Sequence, residues 1–189
     1  MNLLANIVVF QIGWFATVLG AANGLPWIGP AAALAAVALH LRFAARPGVE
    51  LRLVLTALGL GLVADSLLLA TGWISYPNGL WLPGVAPYWI AALWVLFSCT
   101  LNVSMRWLKG RYWLAALFGA VGGPMSYLAG ARLGAMTFVD STLALTALAV
   151  GWGLMMPALV WLATRLDGVR EVRRPHYIQD EWSGADSRG

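Results

Sequence analysis

The stretch from Leu3 to Ala22 is apolar and carries no charged residue. A helix that crosses a bilayer needs about 20 such residues, and this run is long enough. Comparable runs recur along the whole chain, and this recurrence constrains the fold more than any other feature. Composition agrees. Hydrophobic residues make up 60% of the 189 residues and charged residues 11%, with a mean hydropathy of +0.74. A soluble domain is roughly 25% charged, so this chain has too few charges to cover a water-facing surface. Disorder, which needs low hydrophobicity and high charge, is excluded on the same grounds.

The runs predict an all-α integral membrane bundle of six transmembrane helices. The helices are expected at about 3–22, 26–45, 51–71, 87–105, 112–131 and 141–163. Residues 1–163 form the membrane domain and 164–189 a polar tail. The first run is expected to be retained rather than cleaved as a signal peptide, because no Lys or Arg precedes it. Asn23-Gly24-Leu25-Pro26 marks a turn. Residues 72–86 are uncharged and rich in Gly and Pro. With Trp73, Tyr76 and Trp81 they read as an interfacial loop whose rings sit at headgroup level.

Charge gives the orientation. Arg42, Arg46 and Arg52 flank the second connection, and Arg106, Lys109 and Arg111 the fourth. Arg165, Arg170, Arg173, Arg174 and Arg188 lie at the C-terminal end. Eleven of the twelve Lys and Arg therefore fall on one side, and only Arg132 falls on the other. The positive-inside rule makes the first side cytoplasmic, with both termini there. The net charge of +4 and pI near 9.7 follow from this bias and do not call for nucleic acid as a partner. Comparison of the two halves reveals no inverted repeat of the transporter kind.

Ionisable groups inside spans are costly and usually face protein or a wet cavity. Asp65 lies about 21 Å along the third helix at 1.5 Å per residue, in the outer half. Arg132 emerges at that side, and Asp140 opens the sixth helix at the same level. These three read either as a polar site for an anionic or zwitterionic group, or as structural features: an Asp65–Arg132 ion pair and an Asp140 cap. Asn6, Gln11, Ser98, Asn102 and Ser104 read as interhelical hydrogen-bonding groups or as cavity lining.

The fifth helix pairs Gly119 with Gly123 and Gly130 with Gly134, spacings that let helices approach closely. Pro124 follows Gly122-Gly123 and removes one backbone bond. The break is either a kink for packing or a source of free carbonyls lining a site near Tyr127. In the fourth helix Trp94, Phe97, Leu101 and Ser104, with Trp107 beyond, gather toward one side. They form either a wall for an acyl chain or ring, or an ordinary packing face.

The usual chemical motifs are missing. The two histidines, His40 and His176, form no zinc pair, and the carboxylates form no magnesium cluster. There is no Gly-x-Ser-x-Gly elbow and no P-loop. Gly59, Gly61 and Ala64 match a loose dinucleotide pattern, but inside a spanning helix with no strand before it. Cys99 is the one cysteine, so no internal disulfide can form. No metal or cofactor is expected. The basic start of the tail reads as a topology anchor or as a patch for anionic headgroups.

Several stretches together resemble an uncharacterised family of small bacterial inner-membrane proteins, domain-of-unknown-function family 2878. They are Asp65-Ser66-Leu67 with Gly72, Pro87-Tyr88-Trp89-Ile90, Leu93-Trp94 with Phe97, and Thr100-Leu101-Asn102 with Ser104 and Trp107. Gly122-Gly123-Pro124, Tyr127, Gly130 and Leu133-Gly134-Ala135 continue the pattern, which opens with Asn6, Gln11 and Trp14. The similarity spans nearly all of residues 3–163. The family has no established activity. Its members tend to be encoded near cyclopropane-fatty-acid-synthase-like methyltransferases, so the resemblance implies a link with fatty-acid modification or envelope stress, and protein partners in lipid modification.

The leading expectation is an inner-membrane protein that accommodates a lipid-like or small amphipathic ligand in an outer-half pocket. The expected lining is Asp65, Trp89, Trp94, Phe97, Gly123, Pro124, Tyr127 and Arg132. Asp65 and Arg132 would hold a headgroup, and the aromatic residues the apolar part. A membrane-embedded lipid-modifying enzyme and a membrane scaffold for partner enzymes are the alternatives.

Overall fold

The computed structural model describes residues 1–169. The fold is all-helical, with six helices: α1 (Leu3–Ala22), α2 (Ile28–Arg42), α3 (Pro47–Ala70), α4 (Tyr88–Leu101), α5 (Tyr112–Arg132) and α6 (Ser141–Arg165). Four of them, α1, α3, α5 and α6, are long and apolar enough to cross a membrane. The other two, α2 and α4, are shorter apolar helices.

Local chemistry sets the ends. Asn2 caps α1 by accepting from Ala5 N at 2.8 Å, satisfying one of the donors a helix start leaves open. After α1 the chain turns through Gly24, whose φ of 73° suits glycine. The third helix starts at Pro47, not Leu51. Pro47 to Glu50, which the expected bounds leave in the connection, instead form its first turn. Proline at N1 is preorganised for a helix, and Glu50 in that turn points inward and is fully buried. The second helix is shorter than 26–45, because Pro26 belongs to the preceding turn and the chain leaves the helix after Arg42. The fourth ends at Leu101 rather than Met105. There Asn102 turns its side chain into the interior, and a single 3-10 turn follows at Arg106–Leu108.

The fourth helix is central and packs against α1, α2 and α3. The hairpin of α5 and α6 joins this group through contacts of α6 with α3 and α4. A two-residue antiparallel pairing of β1 (Ile74–Ser75) with β2 (Thr137–Phe138) ties the α3–α4 loop to the α5–α6 loop. That loop is only partly interfacial. Trp81 is exposed, but Ile74, Tyr76 and Ala86 are buried beside α4. The outward faces of the long helices are apolar, with Leu4 and Leu154 each at least 70% exposed. Apolar surface on this scale suits lipid rather than water.

The end of the bundle that carries the Arg and Lys links is closed by a polar network the sequence did not suggest. The Glu50 carboxylate accepts from His40 Nε2, Asn102 Nδ2 and Gly168 N, each at 2.7 Å. Asn102 also donates to the Leu166 carbonyl and accepts from Lys109 Nζ at 2.5 Å. Asp167 receives Lys109 at 2.8 Å and Arg106 at 3.2 Å. Arg46 donates to the Asp167 carbonyl, and its own N–H to Gly168 O. Burial lowers the Lys109 ammonium from its usual value, and Asp167 opposes that shift. The start of the expected tail is thus docked against α3 and α4. The rest of the tail lies outside the described residues.

Removing one partner of a buried charged pair costs about 3–5 kcal/mol, because the other groups remain buried and unpaired. Glu50→Ala should therefore lower the thermal unfolding midpoint in detergent by several degrees. Glu50→Gln, which keeps an acceptor for Asn102 and Gly168, should lower it less. Equal midpoints for Glu50→Ala and wild type would contradict the network's structural role.

Candidate functional site

With α3 starting at Pro47, Asp65 lies about 27 Å along its helix. Its side chain is buried and takes donors from two other helices. Trp94 Nε1 of α4 donates to Oδ2 at 2.6 Å, and the Tyr127 hydroxyl of α5 donates to Oδ1. One carboxylate thus joins three helices.

Trp94 reaches Asp65 across Gly61, one turn earlier on α3. A Cβ at Gly61 would overlap the indole. The Trp94 ring stacks in parallel on Trp152 of α6, with centroids 4.8 Å apart and planes 4° from parallel. Trp152 in turn lies over Gly123, where a Cβ would again overlap the ring, and Gly119 meets the Trp152 backbone. Phe97 stands nearly perpendicular to both indoles, with centroids 6.1 and 5.3 Å away. The close-packing reading therefore holds for Gly119 and Gly123. It does not hold for the second pair: Gly130 has open space over it, and Gly134 serves a turn with φ of 88°.

The indole pair and Tyr127 form a wall with a cavity on each side. On one side a cavity of about 80 Å³ is lined by Trp14, Trp89, Trp94, Phe97 and Tyr127. A second space of about 370 Å³ shares Phe10, Trp14, Phe97, Ser126 and Trp152 with it, and adds Gln11, Phe118, Gly122 and Met125. Phe15, Phe118 and Met125 are exposed there, so this gap between α1 and α5 opens on the outer surface of the bundle. Trp14 Nε1 bridges it to Ser126 Oγ at 3.2 Å. On the other side, between α3 and α6, a crevice of about 250 Å³ includes Asp65, Trp73, Trp94, Tyr127 and Trp152 in its lining.

Of the residues expected from the sequence, Asp65, Trp94 and Tyr127 are joined by direct hydrogen bonds. Trp89 and Phe97 line the first cavity with the latter two. The Trp89 N–H is held by the Asn78 carbonyl at 3.0 Å. Gly123 seats Trp152, and Pro124 sits within an unbroken α5. Arg132 does not join the group. It is exposed at the end of α5 and makes no ion pair among the described residues. Asp140 caps α6, accepting from Leu143 N at 2.9 Å. The expected Asp65–Arg132–Asp140 trio is therefore not assembled. The interhelical reading holds for Asn6, which donates to the Cys99 carbonyl at 3.0 Å and accepts from Ser104 N. Trp152 and Ser126 were not singled out by the sequence; Trp14 entered only through the family pattern, and Trp73, expected in an interfacial loop, lines the α3/α6 crevice. The one signal near Trp152 was the bare Gly119/Gly123 face of α5, which admits either a close backbone or a large ring opposite it.

A protein-family model described as "Protein of unknown function (DUF2878)" matches residues 3–158. The chain belongs to this family. The DUF2878 match takes in Glu50, Asp65, Trp94, Tyr127 and Trp152, and stops before the docked segment at Leu166–Gly168. No curated protein and no solved structure matches the chain.

Forcing a methyl group into a packed site costs about 1–3 kcal/mol. Gly61→Ala should displace Trp94 and weaken the near-ultraviolet circular dichroism of the stacked indoles while leaving helix content intact. Gly59→Ala, where a Cβ meets open space, is the control and should leave the signal unchanged. A Gly61→Ala spectrum identical to wild type would show that the stack does not depend on this glycine.

Proposed function

We propose that this protein is a six-span bacterial inner-membrane protein that accommodates the acyl chain of a lipid-like ligand in the gap between α1 and α5. The observation that carries this reading is the gap itself: aromatic at its closed end, lined by the bare Gly122 along its length, and open on the apolar surface of the bundle. An acyl chain entering from the bilayer would exchange one apolar surrounding for another. Affinity would then come from shape and from ring contacts rather than from the hydrophobic effect. Gln11 projects an amide into the same gap and suits a carbonyl or hydroxyl of an amphipathic ligand. Asp65 acts as a positioning residue, fixing Trp94 and Tyr127 in the wall.

Six spans require that α2 and α4, at 15 and 14 residues, cross with the help of their flanking segments. At 1.5 Å per residue they cover only about 21–23 Å, against about 30 Å of hydrocarbon. Irregular backbone is tolerated at that depth where protein covers it, and Tyr76, Ala86 and Leu108 beside α4 are buried. The distribution of Lys and Arg supports cytoplasmic N- and C-termini. The docking of Leu166–Gly168 supports extending the membrane domain a few residues past 163, with the remainder as a cytoplasmic tail. The family resemblance supports a link between the ligand and fatty-acid modification.

Mass spectrometry of lipids retained by the purified protein tests the reading. Wild type should carry acyl lipid at a fixed ratio, and Gly122→Leu, which fills the gap, should lose most of it. Gly59→Leu, at an open position on another helix, should retain it. Equal lipid content in folded Gly122→Leu and wild type would refute an acyl site in this gap.

A further inference from the structure

The crevice between α3 and α6 has a chemistry of its own. Among the described residues Asp65 is the one charged residue in its lining, which it shares with Trp73, Trp94, Tyr127, Trp152 and Met155. The cation expected to balance Asp65 is elsewhere: Arg132 is exposed and makes no ion pair among the described residues. An ionised carboxylate offers about four acceptor positions on its two oxygens. The Trp94 and Tyr127 donors occupy one on each oxygen, which leaves acceptor capacity unused. A buried carboxylate in an apolar surrounding favours a compensating positive charge. Aromatic rings around such a charge are the means by which ammonium groups are recognised.

The way in is also built. Contact between α3 and α6 is sparse compared with that between α5 and α6. Leu67 at the edge of the crevice is 65% exposed. On the α6 side the small Ala147 and Gly151 lie in the lining beside Leu148, Trp152 and Met155, and a Cβ on Gly151 would meet open space. The crevice therefore opens between two helices toward the surface that lipid would cover.

From this geometry we infer that the α3/α6 crevice is a second binding site, selective for an organic cation: an ammonium group on an apolar body, held by Asp65 in a crevice whose lining also brings Trp73 and Tyr127, while the stacked Trp94 and Trp152 close its inner end. This reverses the sign expected for a headgroup site built on Arg132. It is separate from the acyl gap, sharing only the wall between them. An ethanolamine lipid headgroup and a free lipophilic ammonium ion present the same chemistry.

The test uses the full chain in dodecyl maltoside, with benzyltrimethylammonium as probe and neopentylbenzene as its uncharged isostere, read by tryptophan fluorescence. Wild type should bind the cation saturably and at least tenfold more tightly than the isostere. Asp65→Asn and Gly151→Leu should each weaken cation binding tenfold or more. If Asp65→Asn fails to fold, Gly151→Leu, which fills open space, decides. Equal binding of cation and isostere, or cation binding unchanged in folded Gly151→Leu, would overturn the inference. Native mass spectrometry with phosphatidylethanolamine and phosphatidylglycerol distinguishes the sources. Preferential ethanolamine-lipid binding, displaced by the probe, supports the headgroup. Probe binding without that preference supports a free cation. The acyl and cation readings fail separately, because Gly122→Leu fills only the α1/α5 gap and Gly151→Leu only the α3/α6 crevice.

Discussion

The carboxylate of Asp65, held between an indole N–H from α4 and a phenol O–H from α5, is the interaction on which the upper half of the bundle depends. No bulk water is available in the hydrocarbon core to satisfy a polar group, so a carboxylate there must find its partners within the protein. Meeting that requirement places Trp94 across Gly61. Trp94 then offers its face to Trp152, and Trp152 is accommodated by the bare surface of Gly123. Two glycines on different helices thus follow from one buried charge. Each ring of the resulting wall is held by a hydrogen bond or a stack, and a space lies on either side of it.

Glu50 performs the corresponding task at the opposite end. It gathers α2 through His40, α4 through Asn102 and the segment after α6 through Gly168. The two carboxylates lie on the same helix, α3, one in its first turn and one near its end. That helix therefore sets the spacing between the two polar layers, and the central α4 is pinned at both. The gap between α1 and α5 lies outside this scaffold and is bridged by the Trp14–Ser126 hydrogen bond. It is the place where the bundle can open without breaking either layer.

Much of the fold was legible because apolar run length reports helices directly when lipid is the solvent. The bounds of α1 were read to the residue and those of α5 within one. The start of α3 was placed at Leu51 rather than Pro47 because the charges from Arg42 to Arg52 read as a link, although proline at N1 followed by Glu in the first turn is helix-start chemistry. Half of the site was legible for the same reason: a lone Asp in an apolar helix stands out, and so do Trp94 and Tyr127. Its partner was misjudged. Depth along a helix gives height only coarsely and says nothing of direction around the axis: Asp65 bonds Tyr127, about 7.5 Å along α5 from Arg132, which is exposed at the helix end. Trp152 stayed hidden because a helix that is apolar all round carries no periodic signal to mark its buried side. The Glu50 layer was missed because charges near a helix end read as topology signals before they read as contacts.

The central claim is that the wall held by Asp65 keeps the gap between α1 and α5 open for an acyl chain. A crystal structure grown from a lipidic mesophase tests it most directly. The account predicts elongated density along Phe10, Trp14 and Gly122, ending against Trp94 and Phe97. A structure with α1 closed onto α5, Gly122 packed against a neighbouring side chain and no space between the helices would contradict it.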